Sequence, residues 1–289
     1  MAQSPSHKLG QIIGHTLEGV MQPLLQEFCD AHNLYLDCQS KKRATRKGRK
    51  VTWQDDYGNK HDLDYVIESG GTNDTLGDPV GFIEVAWRRY TKHSRNKAQE
   101  IQGAILPLAE KYRWHNPFLG VVLAGEFTAG SIEQLTSLGF HTLYFPYATL
   151  VNAFAQAGFS IRFDEDTPDA AVQHQVDRLI AATDPQIEQV SQHLIHANQE
   201  QIDIFFKTLQ TRFRRTVEKV VIIPLYGRVN EFGSIDGAMA FLDQHPIYEG
   251  SGTFRKYEVS VTFSNQEKIQ GEFLTKQRVK EFLRFVLSQ

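Results

Sequence analysis

Two carboxylates, Asp64 and Glu84, stand where a simple hairpin would make them neighbours. Asp64 opens the apolar segment LDYVIE and Glu84 lies near the end of VGFIEVAW. A Gly/Asn/Asp-rich turn separates the two segments. Directly opposed side chains on paired strands lie about 5 Å apart, and two ionised carboxylates held that close call for a cation. The residue types point to Mg²⁺, a hard ion that takes a few protein carboxylates and keeps waters free to attack a phosphodiester.

Positioning such a pair takes a sheet flanked by helices. Residues 8–32 carry Ile12, Ile13, Leu17, Val20, Met21, Leu24, Leu25 and Phe28 at helical spacing, with Pro23 as a place to kink or divide the helix. LYLDCQ at 34–39 reads as a strand. RKVTWQDD and the acidic segment then form a hairpin with Gly58 and Asn59 at its tip, and the Glu84 strand follows. A helix over about 94–113, with Ser94 as N-cap, turns Ile101, Ala104, Ile105, Leu108 and Tyr112 inward. Lys97 lies one turn before Ile101 on that stripe, where it either points toward the sheet or snorkels from the helix start. FLGVVLAGEF at 118–127 reads as a buried central strand, TAGSIEQLTSLGF as a short helix closed by Gly139, and HTLYFPY as a fifth strand.

Asp64, then Glu84 after an apolar run, then a helix, in the order helix, three strands, helix, strand, resembles the PD-(D/E)XK nuclease superfamily over residues 15–150. The resemblance implies an α/β (mixed-sheet α+β) fold with a restriction-endonuclease-like αβββαβ core. It also implies a Mg²⁺-dependent, sequence-specific DNA endonuclease similar to type II restriction enzymes, acting on double-stranded DNA as a homodimer. Asp64 and Glu84 would bind the metal. One position departs from the pattern: where the family has lysine, two residues after the acid, this chain has Ala86. Lys97 is the preferred substitute, because amines supplied from this helix are a variation in families of this kind. Arg88 shares the face of Glu84 and Ala86 but lies roughly 13 Å along the strand at about 3.3 Å per residue. Glu18 and Glu27 on the first helix, and Glu100 beside the Lys97 stripe, are additional acidic candidates. Two rival readings stand beside this one: a structure-selective repair or recombination nuclease, and an inactive nucleic-acid-binding protein on a nuclease fold, which Ala86 favours.

The chain has 289 residues and a net charge of −3, so any grip on nucleic acid must come from local charge. The run SKKRATRKGRK holds seven Lys or Arg in eleven residues and no acid. Its Lys41, Lys42, Arg43, Arg46, Lys47, Arg49 and Lys50 read as a phosphate-gripping arm. Two cysteines, Cys29 and Cys38, and the lack of a long apolar run or secretion signal fit a cytoplasmic protein without membrane insertion. The sequence divides into a nuclease-like core over 1–163, a helical segment over 164–219 for packing or dimerisation, and a small α+β region over 220–289. That last region and the stretch leading into it carry Arg212, Arg214, Arg215, Lys219, Arg228, Arg255 and Lys256 as candidate DNA-reading cations. GEFTAGS lacks the residues of a P-loop and reads as a turn with an N-cap, and no internal repeat is visible.

Overall fold

The computed structural model describes residues 4–164, 166–213, 216–225, 227–244, 254–264 and 266–287. The fold is mixed α/β and divides into two compact units, Met1–Leu209 and Gln210–Gln289.

In the first unit, α1 (Pro5–Ala31) is capped by Ser4 and buries the stripe Ile13, Leu17, Met21, Leu25 and Phe28. Pro23 neither ends nor divides it; the residue sits on the exposed side, where its missing amide faces water. Strand β1 (Leu34–Cys38) follows, then β2 (Val51–Gln54) and β3 (Lys60–Leu63), which pair as a hairpin apart from the main sheet. The chain bends at Asp64 and re-enters the main sheet as β4 (Tyr65–Ser69), so the acidic strand read from sequence is two strands. Next come β5 (Asp78–Arg88), a short 3₁₀ turn over Thr91–His93, α2 (Ser94–Lys111), β6 (Phe118–Gly125), α3 (Ala129–Ser137), β7 (His141–Pro146) and α4 (Tyr147–Gln156). Ser94 starts α2 inside the preceding turn, where its hydroxyl donates to Thr91 O at 2.8 Å, rather than acting as an isolated cap.

The main sheet has the order β1-β4-β5-β6-β7, antiparallel up to β5 and parallel beyond it. Alternation along the strands sends Val66, Phe82, Ala86, Val121 and Leu123 to one face, against Ala98, Ile101, Ile105 and Leu108 of α2 and Leu135 of α3. Trp87 points the other way, toward Gly10 of α1 and the Tyr147 ring of α4. The result is three layers. Helices α5 (Asp169–Ile180) and α6 (Asp184–Ala197) pack on α1 and α4, so this part of the segment expected over 164–219 belongs to the first unit. The helical pattern from Asp184 onward is interrupted at Asn198, a buried residue whose side-chain amide donates to Leu194 O at 2.8 Å; α7 (Gln199–Phe213) begins after it.

The second unit runs β8 (Val217–Pro224), β9 (Asn230–Phe232), α8 (Ile235–Gln244), β10 (Tyr257–Phe263), β11 (Lys268–Phe273) and α9 (Lys276–Leu287), with an antiparallel sheet ordered β11-β10-β8-β9. It is an internal repeat that the sequence reading missed: ββα followed by ββα. Glu231-Phe232 and Glu272-Phe273 each close a second strand, and a hydroxyl two residues later starts each helix. Ser234 Oγ accepts from Gly237 N at 3.2 Å, and Thr275 Oγ1 accepts from Arg278 N at 3.3 Å. The ring pairs Phe232–Phe241 and Phe273–Phe282 lie at 5.2 and 5.0 Å. The central pair Ile222↔Val259 is flanked by Val220↔Val261 and Pro224↔Tyr257, the register of a local two-fold axis between β8 and β10. The turn expected at Asn265 lies outside the described residues.

Candidate metal centre

Asp64 and Glu84 come together as their spacing predicts. Tyr65 pairs with Ile83 at the end of the β4–β5 ladder, so the next step along places Asp64 opposite Glu84. Asp64 N donates to Glu84 Oε1 at 3.3 Å, and Val85 N donates to Asp64 Oδ2 at 2.7 Å. These side-chain bonds take the place of ladder bonds at the bend.

Burial pushes both acids upward. The Asp64 carboxyl rises to about 6, with the Val85 amide pulling it back and the Glu18 charge adding to the rise. The Glu84 carboxyl rises to about 8, first through burial and then through the Asp64 charge beside it. Lys97 favours the ionised form of both. Its ammonium is partly buried and pairs at 3.2 Å with Glu100.

Glu100 does not join the carboxylate pair. It is exposed and bridges Lys97 and Arg88, which it meets at 3.4 Å. Arg88 also donates to Trp87 O at 2.8 Å. Glu18 stands at the margin: its carboxylate pairs with His15 at 3.5 Å, and its carbonyl accepts the Tyr65 hydroxyl at 2.8 Å. Glu27 is exposed farther along α1 and does not figure among the charges acting on the pair. Ala86 is buried under α2, so a lysine there would carry its stem into the apolar cluster of Ala98 and Ile101.

The basic run departs most from expectation. Arg43 is fully buried and donates to Asp37 at 2.9 Å, to both oxygens of Glu68, and to the carbonyls of Thr72 and Thr75. Arg46 pairs with Asp37 at 2.9 Å and caps the carbonyls of Cys38 and Lys41. Lys41 donates to Gln26 and to Leu36 O, and Lys50 to Asp62 at 2.5 Å. Arg43 and Arg46 are therefore structural: they neutralise two buried carboxylates and fasten the loop over 70–77. Lys42, Lys47 and Arg49 remain exposed. The missed signal was Asp37 and Glu68, acids inside otherwise apolar strands that required a buried cation. In the second unit, Lys219 meets Glu231 at 3.6 Å, Lys256 meets Glu258 and Glu272 at 3.0 and 2.6 Å, and Arg212 meets Glu267. Arg214 and Arg215 lie outside the described residues.

No protein-family model and no curated protein matches the chain. One solved structure, a protein of unknown function designated AF1548, aligns over 65% of this chain and 98% of its own at 11% identity, with a TM-score of 0.29. A likeness at that level carries no argument for fold or function.

Among the described residues, no group of three or more His, Cys, Asp or Glu side chains is arranged to hold a metal. The centre is a pair. Both cysteines are buried and free, and burial raises the Cys29 thiol to about 12, which leaves it unreactive. Among the described residues, no helix is long and apolar enough to cross a membrane.

Proposed function

We propose that the first unit is a Mg²⁺-dependent endonuclease acting on double-stranded DNA, with Asp64 and Glu84 as the metal-binding carboxylates. The observation that carries the reading is the facing pair itself. Glu84 is buried and Asp64 half-buried, and the two are cross-bonded through the backbone and raised well above their ordinary range, with a lysine beside them. Such a site is electrostatically unfinished, and a divalent cation would finish it. Two carboxylates suit Mg²⁺, which takes one or two and completes its shell with water. The order α1, β1, β4, β5, α2, β6 supports the likeness to the αβββαβ superfamily core, with β2–β3 as an insertion.

In this mechanism the Val85 amide aims Asp64 and favours its ionised form, and the amide of Asp64 does the same for Glu84, against the burial that raises both. When bound, Mg²⁺ would supply Lewis acidity and a water of lowered pKa. Lys97, released from Glu100, would orient that water and offset charge developing on the phosphate. Restriction-type specificity and a homodimeric state are parts of the same proposal; the second unit would be the place for base reading.

Buried Ala86 supports a second reading, an inactive nucleic-acid-binding module. Incubating long mixed-sequence DNA with Mg²⁺ or EDTA, using wild type beside Asp64→Ala, Glu84→Ala and Lys97→Ala, separates the two. Discrete fragments lost in EDTA and in both acid variants uphold the specific nuclease. Cleavage only of branched or flapped DNA points to the structure-selective alternative. Intact DNA with retained binding overturns catalysis.

A further inference from the structure

The carboxylate pair adjoins a cleft of about 600 Å³. It opens where β5 outruns β4: the β4–β5 ladder ends at Ile83, while β5 continues beside β6 to Arg88. One wall is α1, through His7, Gly10, Gln11 and Gly14; the other is residues 85–90 and Lys97. Among the described residues, the charged side chains lining it are Arg88, Arg89 and Lys97, and no carboxylate does so. Glu100 pairs with Arg88 and Lys97, and Glu18, one turn beyond Gly14 on α1, acts on Asp64. Residues 88–97 hold Arg88, Arg89, Lys92, Arg95 and Lys97 without a single acid.

Arg89 is the decisive residue. Its guanidinium carbon lies 5.1 Å from the Tyr90 ring centre and 5.7 Å from that of Phe163. Its Nε and Nη2 are buried and lack a hydrogen-bond partner. Aromatic faces take the flat of a guanidinium, but its N–H edge still needs oxygen acceptors. Arginine cannot relieve that need by losing its proton. The acceptor geometry that fits such a fork is a phosphate or a carboxylate, and a cleft lined by cations selects the phosphate of a polyanion.

We propose that residues 88–97 form the track for the DNA backbone, with Arg89 swinging its fork into the cleft to anchor one phosphate. This deepens the nuclease reading and rests on it for the identity of the polyanion. Arg89 is five positions beyond Glu84, roughly 16 Å at about 3.3 Å per residue, so the phosphate it holds lies farther along the same strand than the one next to the reacting phosphate. The phosphate grip thus lies beside the metal centre, in place of the 40–50 arm.

The test is fluorescence anisotropy of a labelled mixed-sequence duplex with the full chain in EDTA across a salt series. Wild type is set beside Arg89→Ala, Arg89→Lys and a triple variant with alanine at Lys42, Lys47 and Arg49. Arg89→Ala should weaken binding roughly 10- to 100-fold and flatten the log–log salt slope by about 1. Arg89→Lys should keep the slope and recover only part of the affinity, and the triple variant should change binding less than Arg89→Ala. Folded Arg89→Ala with wild-type affinity and slope overturns the proposal; should Arg89→Ala fail to fold, wild-type affinity in Arg89→Lys does so. The two readings fail separately. Mg²⁺-dependent cleavage with no role for Arg89 leaves the nuclease standing without this track, whereas Arg89-dependent binding without cleavage leaves the track and removes the nuclease.

Discussion

Asp64 gives its amide to Glu84 and takes the amide of Val85, so each acid of the pair is held by the backbone that carries the other. Neither can move without disturbing its neighbour. Their folded-state values of about 6 and about 8 exceed the ordinary 3.8 and 4.5.

The sign of the pH effect follows. The folded chain binds these protons more tightly than the unfolded chain, so stability from this pair is full below about pH 4 and is lost as pH rises toward about 8. Metal-free protein should show a falling Tm across that window by scanning calorimetry. Mg²⁺ should raise Tm more at pH 8 than at pH 5. Glu84→Gln should flatten the metal-free profile and abolish the Mg²⁺ shift; an unchanged profile in that variant would refute the assignment.

Lys97→Ala should lower kcat roughly 10²–10³-fold with little change in KM, as expected for a group that acts chiefly on developing charge. Lys97→Arg should recover part of the rate. A loss confined to KM would assign Lys97 to substrate binding alone.

Arg43→Ala should destabilise the fold by about 3–5 kcal/mol in urea titration, because it strands the buried charges of Asp37 and Glu68. Lys42→Ala and Lys47→Ala, at exposed positions of the same run, should stay within about 0.5 kcal/mol. Equal effects at all three would contradict the buried cluster.

Neither Cys29 nor Cys38 should react with an aromatic disulfide reagent in the native protein, and both should react in denaturant. Prompt labelling of Cys29 in native protein would show that α1 opens, and of Cys38 that the end of β1 does.

Elements with strong periodicity were readable from the chain: α1, α2, and strands β5 and β6 all lie where their apolar spacing puts them. The facing of Asp64 and Glu84 was readable too, because a hairpin leaves little choice of partner. The bend at Asp64 was not, since it depends on bonds from residues twenty positions away. The fate of Arg43 was hidden for a related reason: sequence marks a cation, but only the fold decides whether a buried acid meets it. Asn198 interrupts a helix through its side-chain amide, a competition that apolar spacing does not register. The repeat in the second unit escaped notice because its halves share little beyond a Glu-Phe pair, a capping hydroxyl and a Phe-Leu pair.

That repeat has a consequence for symmetry. A ββα half on its own would leave the outer edge of its first strand, β8 or β10, unpaired, so the two halves meet edge to edge as the subunits of a symmetric dimer would. Within a single chain, equivalent positions are free to differ. Asp243 near the end of α8 corresponds to Arg284 near the end of α9, and Asp243 now pairs across the axis with Lys280, whose own counterpart in α8 is Met239. Two identical subunits could not have carried opposite charges at one site. Joined in a single chain, they are able to specialise, one helix acidic and the other basic.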